Sequence, residues 1–214
     1  MTNTSRPHGL PRRHVLTTGL GVAGAAALWS TGTGGTAHAA PADDSRWRDE
    51  NSANGWPVVD EADSHRIQGS GLDVTLLSGD VSTVLLHVAR RFHYEVHELR
   101  RNEVLGHHTD RVVAQPYESN HLSGTAIALR PGAYPAGVRG GLFPQQLAAV
   151  RHILAECDGV VRWGGDETVP KESHFQVDVR PGDARLTRLA RIIRRDTATP
   201  GRGAGAINQL VPIG

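Results

Sequence analysis

Two stretches decide how this chain is read. One is Ser119-Asn120-His121-Leu122-Ser123-Gly124-Thr125-Ala126-Ile127-Ala128-Leu129. The other is Val160-Val161-Arg162-Trp163-Gly164-Gly165-Asp166, leading to Glu172-Ser173-His174-Phe175-Gln176. Each sets a histidine at the edge of a short apolar run, beside glycines that let another group approach the backbone closely. Thr125–Leu129 reads as a short buried strand. Val160–Trp163 reads as a second strand, broken by Gly164-Gly165. His174–Val179 alternates, with Phe175, Val177 and Val179 on one face and Gln176 and Asp178 on the other. Two histidines converging across a small sheet would supply half of a zinc site. The plainer alternative is a pair of structural histidines.

Working outward, Asp80 looks like an N-cap. Val81, Val84, Leu85, Val88, Ala89 and Phe92 follow at helical spacing. Tyr94–Leu99 alternates polar and apolar, which predicts a strand. Residues 106–120 form a loop rich in His, Asp and Arg. A second helix is expected from Pro144 to Glu156, with Leu147, Val150, Ile153 and Leu154 on one face and Gly159 beyond its end. A third is expected over about 184–195, with Leu186, Leu189, Ile192 and Ile193 apolar. Its arginines, Arg185, Arg188, Arg191, Arg194 and Arg195, predict a solvated face, or a contact for anionic polymers. No repeat is present. Helices alternate loosely with short strands, so the expected class is α+β: one domain over 57–196, a small antiparallel sheet flanked by helices. Residues 40–56 read as a flexible lead-in and 197–214 as a disordered, Gly-rich tail.

The first 39 residues read as a twin-arginine export signal. Arg12-Arg13 precede an apolar run from Val15 to Trp29, and Ala37-His38-Ala39 offers a small-x-small cleavage site. Gly19-Leu20-Gly21-Val22-Ala23-Gly24 matches a dinucleotide-binding fingerprint, but that motif needs a βαβ unit and lies here inside the export segment. The apolar run is shorter than the roughly 20 residues of a spanning helix, so no membrane span is expected. Removing Arg6, Arg12 and Arg13 with the signal takes the net charge from +1 to −2. A broad basic face for nucleic acid is therefore not expected. Cys157 is the single cysteine, which excludes an internal disulfide and suits a packed thiol. An exported monomer is the expected form.

Both opening stretches resemble the VanY-type zinc peptidases, D-alanyl-D-alanine carboxypeptidases and L-alanyl-D-glutamate endopeptidases that trim peptidoglycan. The family's first motif is S-x-H-x-x-G-x-A-x-D, and Ser119, His121, Gly124 and Ala126 match it in position. Its second is a Trp-Gly-Gly strand end followed by an acidic residue three before a His-Phe or His-Trp pair. Trp163-Gly164-Gly165 and His174-Phe175 match that. The resemblance covers roughly 75–180 and implies a zinc DD-peptidase-like fold. It also implies zinc held by two His and one Asp, a bound water activated by the metal, and peptidoglycan stem peptides as substrate. His121 and His174 are the implied metal ligands, and Ser119, Trp163 and Lys171 are expected along the substrate groove. Arg111 is the first choice for an arginine steadying the oxyanion, with Arg101 the second.

The sequence departs from this pattern at two positions. The metal aspartate falls at Ala128 and the catalytic carboxylate at Lys171. Glu172, one residue along, is the expected substitute base. Asp166, Asp178, His107 and His108 are the substitute metal ligands to test. Two expectations follow: a zinc metallopeptidase with a rearranged site, or a non-hydrolytic pseudoenzyme that binds cell-wall peptide or a partner through the same groove.

Overall fold

The structure is a computed structural model that describes residues 45–199. The expected export signal, residues 40–44 and most of the expected tail lie outside the described residues. Within them the chain is an α+β domain. Its order is β1 (Asp63–Ile67), β2 (Leu72–Leu76), α1 (Asp80–Glu95), β3 (Val104–Leu105), β4 (Ala126–Leu129), α2 (Pro144–Glu156), β5 (Val161–Trp163), β6 (His174–Val177) and α3 (Ala184–Ala198). β1 and β2 form an antiparallel hairpin. The other four strands form an antiparallel sheet in the order β3-β4-β6-β5. None of the described helices is long and apolar enough to cross a membrane.

The core lies between the four-stranded sheet and the helices. Strand side chains alternate faces, so Ile127, Leu129, Phe175 and Val177 point to the core, where Val84, Leu85, Val88 and Phe92 of α1 meet them. Phe92 packs edge-on against Phe175, with ring centroids 6.1 Å apart. Every residue of β4 and of β6 is buried, so their second face is covered too. That face carries Ala126, Ala128, His174 and Gln176, and the candidate site is built on it.

Local chemistry differs from expectation in four places. Asp80 begins α1 and makes no side-chain cap. It accepts instead from Thr187 and Arg194 of α3, at 2.7 and 2.6 Å, and ties the two helices together. Tyr94–Leu99 is not a strand: Tyr94 and Glu95 complete α1, and Val96 donates its N–H to the Phe92 carbonyl at 2.9 Å. An Arg91–Glu95 ion pair at i,i+4 extends the helix there. Residues 45–56 are not a loose lead-in. Trp47 N–H bonds to Arg111 O at 2.8 Å and Val113 N–H to Ser45 O at 2.8 Å. Asn54 donates from its amide to Thr125 Oγ1 at 2.7 Å and to the Val177 carbonyl at 2.8 Å. Finally, Thr197 and Ala198 belong to α3, so the expected tail begins inside a helix. Cys157 is fully buried, and burial pushes its thiol up to about 12, as suits packing and not reactivity.

Candidate functional site

His121 closes a 3-10 turn, Pro116–His121, just before β4, and His174 opens β6. Gly124 makes the tight link between that turn and β4. It has φ 66°, and a Cβ there would lie 2.7 Å from Leu77 N. On the other side, a Cβ on Gly164 would meet the Lys171 carbonyl at 2.5 Å and His174 Cβ at 2.9 Å, and one on Gly165 would enter the Trp163 ring. The two motifs thus bring their histidines together, with ring centroids 5.1 Å apart and edge to face.

Both imidazoles are buried, His121 at 2% exposure and His174 at 0%. Their hydrogen-bond partners fix their tautomers. His121 Nδ1 faces the Gly106 carbonyl at 2.9 Å, so Nδ1 carries the proton. His174 Nε2 faces Gln176 Oε1 at 2.9 Å. That same oxygen accepts from Asn120 Nδ2 at 2.8 Å, so Nε2 is the protonated nitrogen. The remaining nitrogens, His121 Nε2 and His174 Nδ1, are buried lone pairs with no partner. Oxygen acceptors behind, lone pairs in front: this is how metal-binding histidines are held. Burial keeps both rings neutral. It depresses His174 to about 4 and His121 well below the ordinary histidine range, with each neighbouring ring adding to the effect on His121.

A third ligand is missing. In the antiparallel register Ala128 lies directly opposite His174, on the same face of the sheet, where a carboxylate would reach the pair. Alanine offers no donor. His108 stacks on His121 at 5.5 Å, and its Nδ1 is also buried without a partner. Even so, no group of three or more His, Cys, Asp or Glu among the described residues could hold a metal ion. The residues present do not fit a zinc site with three protein ligands. The other substitutes are engaged elsewhere. Asp166 takes a two-pronged contact from Arg151 at 2.6 and 2.7 Å, Asp178 takes one from Arg162 at 2.9 and 3.0 Å, and His107 Nε2 bonds to the Val59 carbonyl at 2.9 Å.

The expected base is turned away as well. Glu172 is buried, and its two oxygens accept the Gly140 and Gly141 N–H groups at 2.7 and 2.8 Å. It anchors the 140–141 loop. Lys171 is also spoken for: its ammonium donates to Glu118 Oε1 at 2.5 Å. Glu118 accepts the Ala114 and Gln115 N–H groups too, and it stays below the usual carboxylate range because these contacts outweigh its partial burial.

The residues expected to line a groove are internal. Ser119 is fully buried between the Pro116 carbonyl (2.6 Å) and the Ala53 N–H (2.9 Å). Trp163 is 2% exposed and donates its indole N–H to the Glu172 carbonyl at 2.7 Å. Arg111 reaches the Asp49 carbonyl at 3.2 Å, so its guanidinium serves the packed N-terminal segment. Arg101 is exposed in a turn. Tyr117 lies against His174, with centroids 5.0 Å apart, and donates its hydroxyl to the Val169 carbonyl at 2.9 Å. The pair is therefore closed over. Tyr117 and Glu118 were not singled out in the sequence, and Gln176 was placed only on the polar face of its strand. Gln176 sits two residues after His174 on a strand, and that same-face spacing was the available signal.

Searches against protein-family models, curated proteins and solved structures find no match to this chain.

Proposed function

We propose that this chain is an exported, wall-directed relative of the VanY-type zinc peptidases that binds peptidoglycan stem peptides and does not hydrolyse them. The observation that carries its non-hydrolytic half is Ala128 opposite His174; the peptide-binding half rests on the resemblance of the two motifs. Two histidines are poised as ligands, and the position that would complete the set bears a methyl group. Two further features point the same way. Glu118 is locked to Lys171, and Glu172 is committed to the 140–141 loop, so neither carboxylate is free to take a proton from water. A hydrolytic site also needs an open position for water and substrate, whereas both rings are buried here.

One observation favours the hydrolytic reading. The unpartnered lone pairs of His121 and His174 are what a metal would use. That reading requires a third ligand that the described residues do not offer. Incubating the full chain with stem peptides ending in D-Ala-D-Ala separates the two: saturable binding by calorimetry with no released D-Ala supports the binding role, and released D-Ala sinks it.

A further inference from the structure

Away from the histidine pair, a groove of about 360 Å³ opens between α1, α3 and the end of the β1–β2 hairpin. Leu86 of α1 and Ile193 of α3 give it apolar walls, and Arg66, Arg90 and Arg194 stand around it. No carboxylate is among the residues that line it. Two of the three guanidiniums are already neutralised: Arg66 by Asp73 at 2.6 Å and Arg194 by Asp80 at 2.6 Å. Arg90 is different. Its Nη1 donates to the neutral Gln68 Oε1 at 2.8 Å, and its Nε is buried with no partner. Among the guanidiniums that line the groove, Arg90 is thus the one with no carboxylate partner, and an anion in the groove would supply its counter-charge.

We infer that this groove binds a small monocarboxylate with a short apolar body. The carboxylate pairs with Arg90, and the body lies on Leu86 and Ile193. The charge count selects the head group. One guanidinium lacks a counter-charge, which matches a single negative charge better than a phosphate monoester carrying about −1.5 to −2. A planar carboxylate also fits the planar donor fork. The volume falls at the lower end of small-molecule sites, roughly 300–1,000 Å³. The inference does not depend on the histidine pair.

The test uses the full chain and octanoate, with octanol and octyl phosphate alongside, followed by NMR titration. Octanoate should bind saturably and move the resonances of Leu86, Ile193 and Ala198. Octanol should bind much more weakly. Arg90→Gln keeps a hydrogen-bonding group but removes the charge, and should weaken octanoate about tenfold or more, the scale of one lost charge-assisted contact. Ala198→Trp, on the exposed rim, should block the groove without touching the core, so the test survives if the first variant folds poorly. Octanol binding as tightly as octanoate, octyl phosphate binding more tightly, or both variants binding like the parent would each overturn the inference.

Discussion

Glu172→Gln tests most sharply what the buried carboxylate two residues before His174 does. Glu172 holds two backbone N–H groups, Gly140 at 2.7 Å and Gly141 at 2.8 Å, one on each oxygen. Glutamine keeps one oxygen and turns the other into an NH2 that meets an N–H. One hydrogen bond to a charged group is lost, nominally about 1.5–3 kcal/mol. The other falls to neutral strength, about half. Gly140 and Gly141 are themselves exposed, so water recovers part of the loss, and a net cost of about 2 kcal/mol is expected. For a domain of this size that lowers Tm by about 4–8 °C. Differential scanning calorimetry of the full chain at neutral pH reads it directly. If Tm instead stays within about 1 °C of the parent, Glu172 is not the loop anchor described, and its carboxylate is free for chemistry.

Arg91 is 4% exposed and bridges Glu95 of α1 and Glu156 of α2. Arg91→Ala should cost about 1.5–3 kcal/mol in urea denaturation, because it removes charge-assisted hydrogen bonds to two carboxylates that are partly solvated; a loss near zero would show that solvent already screens the pair. His174 is held neutral, near 4, against an ordinary value of 6.5. The unfolded chain therefore binds a proton that the folded chain refuses: stability is full above about pH 6.5 and falls as the pH drops towards about 4, by up to about 1.4 kcal/mol per pH unit for this one group. A urea midpoint that does not change across that range would contradict a neutral His174. Glu156 lies in a separate window. His87 first, then Arg91, hold it at about 2 against burial, so its contribution is lost only below about pH 4.5 as the pH falls towards 2. Glu156→Gln should flatten the acid limb of the stability curve below about pH 4.5, and an acid limb as steep as the parent's would contradict this.

The parts of this fold with long, regular periodicity were legible in the sequence. The second helix ends where Pro144 and Glu156 placed it, and the first shows the spacing from Val81 to Phe92 on its buried face. The β1–β2 hairpin was missed, although Leu72, Val74 and Leu76 alternate and Gly69-Ser70-Gly71 marks the turn. Its first strand, Asp-Ser-His-Arg-Ile, has too little apolar content to announce itself. Tyr94–Leu99 was misread because a six-residue alternation cannot outweigh a helix that ends in an ion pair. For the site, the meeting of His121 and His174 was legible from the two motifs. The commitment of Glu172, Lys171 and Ser119 to internal partners was not. Those partners, Gly140, Gly141, Glu118 and Ala53, lie 32, 31, 53 and 66 residues away along the chain, and no local pattern links them. The N-terminal segment was misjudged for the same reason: Asn54 donates its backbone N–H to Asn120 Oδ1 and its amide to Thr125 and to Val177 of β6, all distant in sequence.

The central claim is that the histidine pair lacks a completing ligand because Ala128 stands opposite His174. Equilibrium dialysis of the full chain against zinc, followed by elemental analysis, tests it most directly, with Ala128→Asp plus Lys171→Asp as the comparison. The account predicts substoichiometric zinc in the parent and a gain in the double variant that His121→Ala abolishes. One zinc per parent chain, lost on His121→Ala or His174→Ala, would contradict it.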